Sequence, residues 1–199
     1  MLALAKFKHV HFGIRPARPA DTEALANLHV AVWQSAYRGI LPDAYLDALT
    51  SSQRLPFWQE ILHQPEPGRL TLVLQAEDGS LGGFLSAGPP RDLPPGGAAL
   101  YRSELYAINI LPGLHGRGHG RRLLLHAANW MAEQHLTPFY LWLLADNTKA
   151  RDFYEMLGAS LAAKRSVSLA GTRLTELAYH FLDPADIARR ALKAAGRRL

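Results

Sequence analysis

The most constraining feature of this chain is a glycine-rich segment that separates an apolar strand pattern from an amphipathic helix pattern. It reads Leu-Pro-Gly-Leu-His-Gly-Arg-Gly-His-Gly-Arg-Arg-Leu-Leu-Leu over residues 111–125. Because glycine has no Cβ, the loop backbone can adopt unusual dihedral angles and approach a ligand closely. Its N–H groups would converge on an anion at the positive end of the following helix, where Arg117, Arg121 and Arg122 add full charges. The segment therefore predicts a phosphate or diphosphate site between a strand and a helix.

Three well-known kinds of glycine-containing loop share parts of this pattern. A Walker loop needs Gly-Lys followed by Ser or Thr, whereas this chain has Gly120-Arg121-Arg122. A dinucleotide-binding fingerprint needs Gly-x-Gly-x-x-Gly directly after the strand. Here the spacing is Gly-x-Gly-x-Gly, and residues 112–115 intervene. The third is a flexible turn between packed elements, and the loop taken alone leaves that possibility open.

Strand and helix patterns are mixed along the whole chain, which predicts an α/β fold. The predicted strands cover residues 14–17, 69–75, 81–87, 104–111, 138–144, 161–169 and 173–181. The predicted helices follow Asp21, cover residues 43–62 and 118–134, and run from Asn147 to a glycine cap at Gly158. We expect one domain over residues 14–182, an N-terminal extension over residues 1–13, and a basic helical tail over residues 183–199.

Composition excludes several kinds of site. There is no cysteine, so disulfides, thiolate metal sites and a cysteine nucleophile are excluded. The nine histidines show no metal-binding spacing such as His-Glu-x-x-His, so we expect no metal. No run approaches the ~20 apolar residues of a membrane helix, and the first residues have the wrong order for a signal peptide. We expect a cytoplasmic protein with no membrane partner.

The formal net charge of +5 does not by itself predict nucleic-acid binding. Basic residues concentrate in the glycine loop and in the tail, where a polyphosphate ligand and a solvated helix face account for them. The tail cations are Arg189, Arg190, Lys193, Arg197 and Arg198. We therefore expect no nucleic-acid partner.

A second segment makes the glycine loop much more informative. Residues 141–158 read Leu-Trp-Leu-Leu-Ala-Asp-Asn-Thr-Lys-Ala-Arg-Asp-Phe-Tyr-Glu-Met-Leu-Gly. Together the two segments closely resemble the GNAT superfamily of N-acyltransferases. That family has an Arg/Gln-x-x-Gly-x-Gly/Ala loop after its fourth strand and, further along, a strand, Asn-x-x-Ala-x-x-Phe-Tyr and a glycine-capped helix end. Both motifs have the family's order and spacing, and the resemblance extends over residues 14–181.

The resemblance implies a GNAT fold: a mostly antiparallel, twisted sheet of about seven strands, splayed between strands 4 and 5, with helices on both faces. It also implies that acetyl-CoA, as cosubstrate, lies between strands 104–111 and 138–144. Backbone N–H groups at residues 108–110 would hold the acetyl end and stabilise the oxyanion. The cofactor-binding residues implied by the resemblance are Ile108, Asn109, Ile110, His115, Gly116, Arg117, Gly118, His119, Gly120, Arg121, Asn147 and Tyr154.

One position departs from the family pattern, because His115 stands where Gln or Arg is usual. We expect the cofactor to bind regardless, since backbone N–H groups hold most of the diphosphate. A protonated histidine offers two donors and a neutral one offers a single donor. We therefore hypothesise that cofactor affinity weakens as pH rises through the titration of His115. A dissociation constant that stays flat between about pH 5.5 and 8 contradicts this, given the ordinary histidine pKa of about 6.5.

The resemblance also suggests catalytic residues. Tyr154 would act as general acid toward the departing CoA thiolate, or else it is a core aromatic beside Phe153. Glu104 would accept the amine's proton, or else it is an exposed strand-end glutamate, with Tyr106 in reserve. Asn147 would touch the cofactor, cap its helix, or do both.

The expected function is transfer of acetyl from acetyl-CoA to a primary amine, in a small molecule or a peptide, within a ternary complex. The alternative is a CoA-binding regulatory or interaction module without turnover. Residues 33–62 and the hairpin around Gly171 would form the acceptor site, although packing of two amphipathic helices also accounts for the first region. The residues concerned there are Trp33, Tyr37, Tyr45, Phe57 and Trp58, with Asp43 or Asp47 attracting a cation. Many members of the family are dimers, so a homodimer stays open.

Overall fold

Strands and helices follow one another through the whole of the computed structural model, which describes residues 10–196, with side chains through Leu192. The predictions for residues 1–9 of the extension, and for Lys193, Arg197 and Arg198 of the tail, lie outside what is described. The strands are β1 (Phe12–Pro16), β2 (Leu70–Ala76), β3 (Leu81–Gly88), β4 (Ser103–Ile110), β5 (Phe139–Leu144), β6 (Ser160–Leu169) and β7 (Thr172–Phe181). The helices are α1 (Thr22–Ala36), α2 (Asp43–Asp47), α3 (Ser51–His63), α4 (His119–Glu133), α5 (Thr148–Met156) and α6 (Pro184–Gly196).

The strands form one seven-stranded sheet in the order β1-β2-β3-β4-β5-β7-β6. β1 and β2, β5 and β7, and β6 and β7 pair in antiparallel fashion. β4 and β5 pair in parallel, with Ser103 opposite Phe139 and Glu104 opposite Tyr140. This sheet confirms the predicted mixed α/β class. The helical region predicted over residues 43–62 consists of two helices, because Thr50 and Gln53 form a capping box that starts α3.

The chain divides into two compact units, of which the first comprises described residues 10–86 and 107–124. Its core forms where the apolar face of α1 meets α3 and strands β2 and β3. Apolar residues recur in α1 at helical spacing, and Leu25, Leu28 and Val32 are all buried. All eight residues of β3 are buried. Three of them are glycines, and a Cβ on one of these, Gly82, would lie 2.6 Å from the Phe12 ring, so only glycine fits there.

The second unit comprises described residues 87–106 and 125–196. Its centre is β5, whose Phe139, Tyr140 and Leu141 are buried, as the continuous apolar run predicts. The hairpin of β6 and β7 extends the sheet beside it. α6 follows β7 and buries Ile187 and Ala191, which lie one helical turn apart. The predicted helical tail is thus a helix through residue 196.

Candidate active site

The glycine loop has the backbone that a ligand cradle requires. A 3₁₀ turn at Pro112–Leu114 follows β4, and α4 begins at His119. Gly116 and Gly118 adopt φ angles of 74° and 81°, which residues with a Cβ rarely adopt. A Cβ added to Gly116 would meet nothing within 4 Å, so its surroundings are open. The loop therefore keeps its glycines for backbone conformation rather than for packing, and it ends at the N-terminus of a 15-residue helix.

Positive charge surrounds this helix start. An Arg121 guanidinium nitrogen lies 3.5 Å from the position that a Cβ on Gly118 would take. Arg122 donates a hydrogen bond of 3.1 Å to the Phe12 carbonyl, so part of its role is to hold β1. Burial lowers the pKa of His119, and the charges of Arg122 and Arg117 lower it further. The His119 ring packs edge-on against Phe12, and its buried Nδ1 has no hydrogen-bond partner. His119 is therefore neutral near pH 7 and part of the packing of the loop.

The His115 side chain forms a hydrogen bond with the last residue of β4. Its Nε2 lies 2.8 Å from the Ile110 carbonyl oxygen. Ile110 is buried, whereas Ile108 and Asn109 are half-buried although β4 is an inner strand of the sheet. β3 approaches this part of β4 closely, since a Cβ on Gly83 would lie 2.7 Å from the Asn109 carbonyl oxygen. The predicted cofactor residues of β4 thus lie in a strand with incompletely covered side chains.

In the second unit, α5 carries the two remaining residues expected at the cofactor. Asn147 is the N-cap of α5, and its side-chain oxygen accepts a hydrogen bond of 3.2 Å from the Ala150 N–H, as predicted. Tyr154 lies in the last turn of α5, and only 6% of its surface is exposed. Its ring packs edge-on against Phe153. Packing and catalysis are compatible for Tyr154, because a buried tyrosine can pack and still present a hydroxyl to a ligand.

Glu104 is a buried carboxylate with three hydrogen-bond donors. Its side chain is 5% exposed, so the alternative of an exposed strand-end glutamate is wrong. Arg91 donates to it twice, from its guanidinium to Oε1 at 2.8 Å and from its backbone N–H to Oε2 at 2.9 Å. The Tyr140 hydroxyl donates to Oε2 at 3.0 Å. Burial raises the pKa of Tyr140, and the neighbouring Glu104 charge raises it further, so this hydroxyl stays a donor.

Arg91, which donates twice to Glu104, belongs to the loop between β3 and β4. We call residues 89–96 the Arg91 loop. The Arg91 guanidinium lies 3.6 Å from the centre of the Tyr106 ring. The Trp142 indole N–H donates to the Asp92 carbonyl at 2.7 Å, and Arg165 forms an ion pair with the Asp92 carboxylate. These contacts attach the loop to the sheet at several points. No local pattern points to Arg91, because its partners lie far along the sequence.

The aromatic residues expected at the acceptor site divide into two groups. Trp58 is fully buried in the core of the first unit, which favours packing for that residue. Phe57 is exposed, and Trp33 is half-buried with the Arg54 guanidinium 4.9 Å from its ring centre. Asp43 and Asp47 both pair with Arg38.

Sequence analysis missed His29, whose ring contacts those of Trp33, Phe57, Trp58 and Phe84. Its place on the apolar face of α1 was the available signal.

The described part of the chain has neither a metal-binding cluster nor a membrane-spanning helix. Among residues 10–196, no three His, Cys, Asp or Glu side chains are grouped so that they could hold a metal ion. No helix within that range has the length and apolar character needed to cross a membrane.

Comparisons with known proteins agree with one another. The sequence model of the Acetyltransferase (GNAT) family matches residues 31–159. The uncharacterised N-acetyltransferase YuaI of Bacillus subtilis is 30% identical over 164 residues, which is 82% of this chain and 89% of that protein. PaiA N-acetyltransferase of Thermoplasma acidophilum, solved with coenzyme A, superposes with a TM-score of 0.64 at 19% identity, over 86% of this chain and 99% of that one. YncA of Salmonella typhimurium, solved with acetyl-CoA, gives 0.65 at 20% identity, over 87% and 95%.

Proposed function

This chain belongs to the Acetyltransferase (GNAT) family, and on that premise we propose that it moves acetyl from acetyl-CoA directly to a primary amine in a ternary complex. We assign this reaction to residues 14–182. Membership of the family makes the chain an acetyltransferase. Coenzyme A in PaiA and acetyl-CoA in YncA favour acetyl-CoA as the donor here. The primary amine and the direct transfer are our own proposal.

The observation that carries the proposal is the geometry of the glycine loop. Two positive-φ glycines precede a 15-residue helix, and Arg117 and Arg121 stand beside them. Backbone N–H groups at a helix N-terminus, together with guanidinium groups, suit the diphosphate of coenzyme A. An Arg121 guanidinium nitrogen lies 3.5 Å from the position that a Cβ on Gly118 would take, so a positive charge lies beside the loop backbone. The residues present thus fit the cosubstrate, with Gly116, Gly118 and Gly120 as its cradle.

The chemistry needs one proton removed and one delivered. Acetyl-CoA supplies an acetyl group activated as a thioester. The amine nitrogen forms the new N–C bond with its lone pair, and the C–S bond breaks with its electron pair leaving on sulfur. Glu104 takes the amine's proton, directly or through water, and Tyr154 delivers a proton to the sulfur. The products are an acetamide and CoA thiol, and proton exchange with water restores the Glu104 carboxylate and the Tyr154 hydroxyl, so atoms and charges balance.

The test is release of CoA thiol from acetyl-CoA with a panel of primary amines and amine-bearing peptides. We expect turnover with at least one acceptor, and a fall in kcat of about 10²-fold for Tyr154→Phe, the lower range for loss of a general acid. Tyr101→Phe is the matched control, because Tyr101 is also 6% exposed and carries a hydroxyl that no proposed step uses. It should keep wild-type turnover. Equal rates for wild type and Tyr154→Phe would remove Tyr154 from the mechanism.

The same assay decides between enzyme and binding module. If titration calorimetry detects CoA binding but no acceptor supports thiol release, the chain is a CoA-binding regulatory or interaction module. If CoA does not bind, both interpretations fail. Repeating the calorimetry from about pH 5.5 to 8 also tests the weakening of CoA affinity that the sequence predicts for His115, and an affinity that does not change with pH contradicts it.

A further inference from the structure

Glu104, Tyr106 and Arg91 form a cluster whose chemistry matches that of the acceptor proposed above. A carboxylate oxygen and the face of a phenol ring both contact one guanidinium, at 2.8 Å from the carboxylate and 3.6 Å from the ring centre. A carboxylate beside an aromatic face is a general recognition site for alkylammonium and guanidinium ions. In this structure the protein's own Arg91 fills it.

We propose that Glu104 and the Tyr106 ring bind the cationic nitrogen of the amine acceptor, and that Arg91 holds this site until the acceptor displaces it. The proposal rests on the proposed function for the identity of the cation as an acceptor. Arg91 is then an autoinhibitory contact, and the site selects amines that arrive protonated and narrow enough to lie over one ring. Glu104 is the counter-ion of the bound cation and takes one proton from it, which frees the lone pair that attacks the thioester. The second proton leaves the nitrogen for water as the N–C bond forms.

Burial explains why Glu104 needs a cation whenever it is ionised. The Glu104 side chain is 5% exposed, and a buried carboxylate without a counter-charge is strongly destabilising. The Arg91 side chain, in contrast, is 50% exposed, so its head group can move into water at little cost in desolvation. Glu104 is therefore fixed in place, whereas the Arg91 guanidinium can exchange for another cation. An acceptor ammonium can therefore replace the guanidinium while Glu104 stays paired.

The backbone of the Arg91 loop does not need to move during this exchange. The Trp142 indole and the Arg165 ion pair hold Asp92, the next residue, against the sheet. The backbone N–H of Arg91 and the Tyr140 hydroxyl continue to donate to Glu104 when the guanidinium leaves. The site that binds the acceptor cation is therefore already formed, and only the Arg91 side chain has to move.

Arg165, a second arginine in the same unit, has a guanidinium group that is held more firmly than that of Arg91. Arg165 also lies over an aromatic ring, 3.9 Å from the centre of Trp142. It pairs with two carboxylates, those of Asp92 and Glu176, and its side chain is 31% exposed. Arg91 has one carboxylate partner and greater exposure. Of these two stacked arginines, Arg91 is the one whose head group can leave.

The first experiment measures cation binding without any acetyl transfer. Arg91→Ala removes the internal cation, and propylammonium and ethylguanidinium chloride at millimolar concentration serve as probes, with propanol as the neutral control. We expect both cations to raise the Tm of Arg91→Ala and to bind it at least about tenfold more tightly than wild type, because the competing side chain is gone. Arg91→Ala combined with Glu104→Gln should lose the response. Arg102→Ala, which removes an exposed arginine two residues before Glu104, should behave as wild type.

The second experiment uses an acceptor found in the thiol-release screen. Arg91→Ala should lower its KM by about tenfold with little change in kcat, since a larger fraction of the protein is ready to bind. A raised KM, or cations that bind wild type and Arg91→Ala equally, overturns the inference. If Arg91→Ala does not fold, Arg91→Gln replaces it, and failure of both to fold shows that Arg91 is structural and also overturns it. Cation binding without thiol release would leave this site standing while the proposed function fails.

Discussion

His29 in the first unit and Glu104 in the second are both buried ionisable residues, but their surroundings differ completely. Four aromatic rings contact His29, and its buried Nδ1 has no hydrogen-bond partner. Burial, together with the nearby Arg54 charge, lowers the pKa of His29 to about 4, so the ring is neutral at pH 7. Glu104 instead has a cation and two further hydrogen bonds.

This comparison distinguishes a buried ionisable residue that only packs in the core from one that can take part in binding or catalysis. An ionisable group buried without partners becomes neutral, and it then behaves as one more core side chain. A group buried with a complete set of donors keeps a chemical use, because its charge is stabilised by contacts that a ligand can replace. On this criterion, His29 in the first unit is a packing residue of an aromatic core. Glu104 in the second unit is a charged carboxylate that can bind a ligand.

The largest effect is expected from placing a carboxylate where His29 stands. His29→Asp would leave a buried charge without a hydrogen-bond donor, which costs about 3–5 kcal/mol. Arg54 offsets part of this cost, so we expect about 3 kcal/mol relative to His29→Asn, which has nearly the same size and no charge. Urea unfolding at pH 7 gives the difference. A value near zero would show that water reaches this cluster and that the contrast with Glu104 is only apparent.

The pH dependence of stability provides the next largest effect. Well above pH 6.5, the ordinary histidine pKa, His29 is neutral in both the folded and the unfolded protein and contributes no pH dependence. Between pH 6.5 and about 4 the unfolded chain binds a proton that the folded protein does not, so stability falls as pH falls. The loss accumulates to roughly 3 kcal/mol, and below about pH 4 it grows no further.

Comparison with His29→Phe isolates this contribution from those of the other titrating groups. The variant keeps an aromatic ring and cannot bind the proton, so its stability should fall less than that of wild type between pH 7 and 4.5. His63→Gln, at the exposed end of α3, is the control and should follow wild type. Parallel curves for wild type and His29→Phe would mean that the folded protein protonates His29 as readily as the unfolded chain does.

Local patterns account for what the sequence predicted correctly. The strands, the Asn147 cap and the two glycine-loop conformations depend on neighbouring residues, so spacing alone identified them. His29 follows Leu25 at helical spacing, and its burial could have been inferred from the same periodicity.

The environment of Glu104 could not be predicted in this way. Arg91 is 13 residues before Glu104 and Tyr140 is 36 residues after it, while Asp92 and Arg165 are 73 residues apart. Only the register of β4 with β5 and the path of the Arg91 loop bring them together. Neither follows from residue spacing, because a one-residue change of register would place different side chains beside the carboxylate.

The smallest effect compares two tyrosine hydroxyls of the second unit whose rings lie 5.0 Å apart. Tyr140 donates to the Glu104 carboxylate, whereas Tyr101 bonds to Nδ1 of His180, a ring whose pKa burial lowers. A hydrogen bond to a charged group contributes about 1.5–3 kcal/mol and a neutral one about 1 kcal/mol. Tyr140→Phe should therefore lower the free energy of unfolding at pH 7 by about 2 kcal/mol and Tyr101→Phe by about 1 kcal/mol. Equal losses in urea unfolding would indicate that Glu104 is uncharged in the folded protein. The carboxylate would then be as neutral as His29, and it could neither hold a cation nor accept a proton from one.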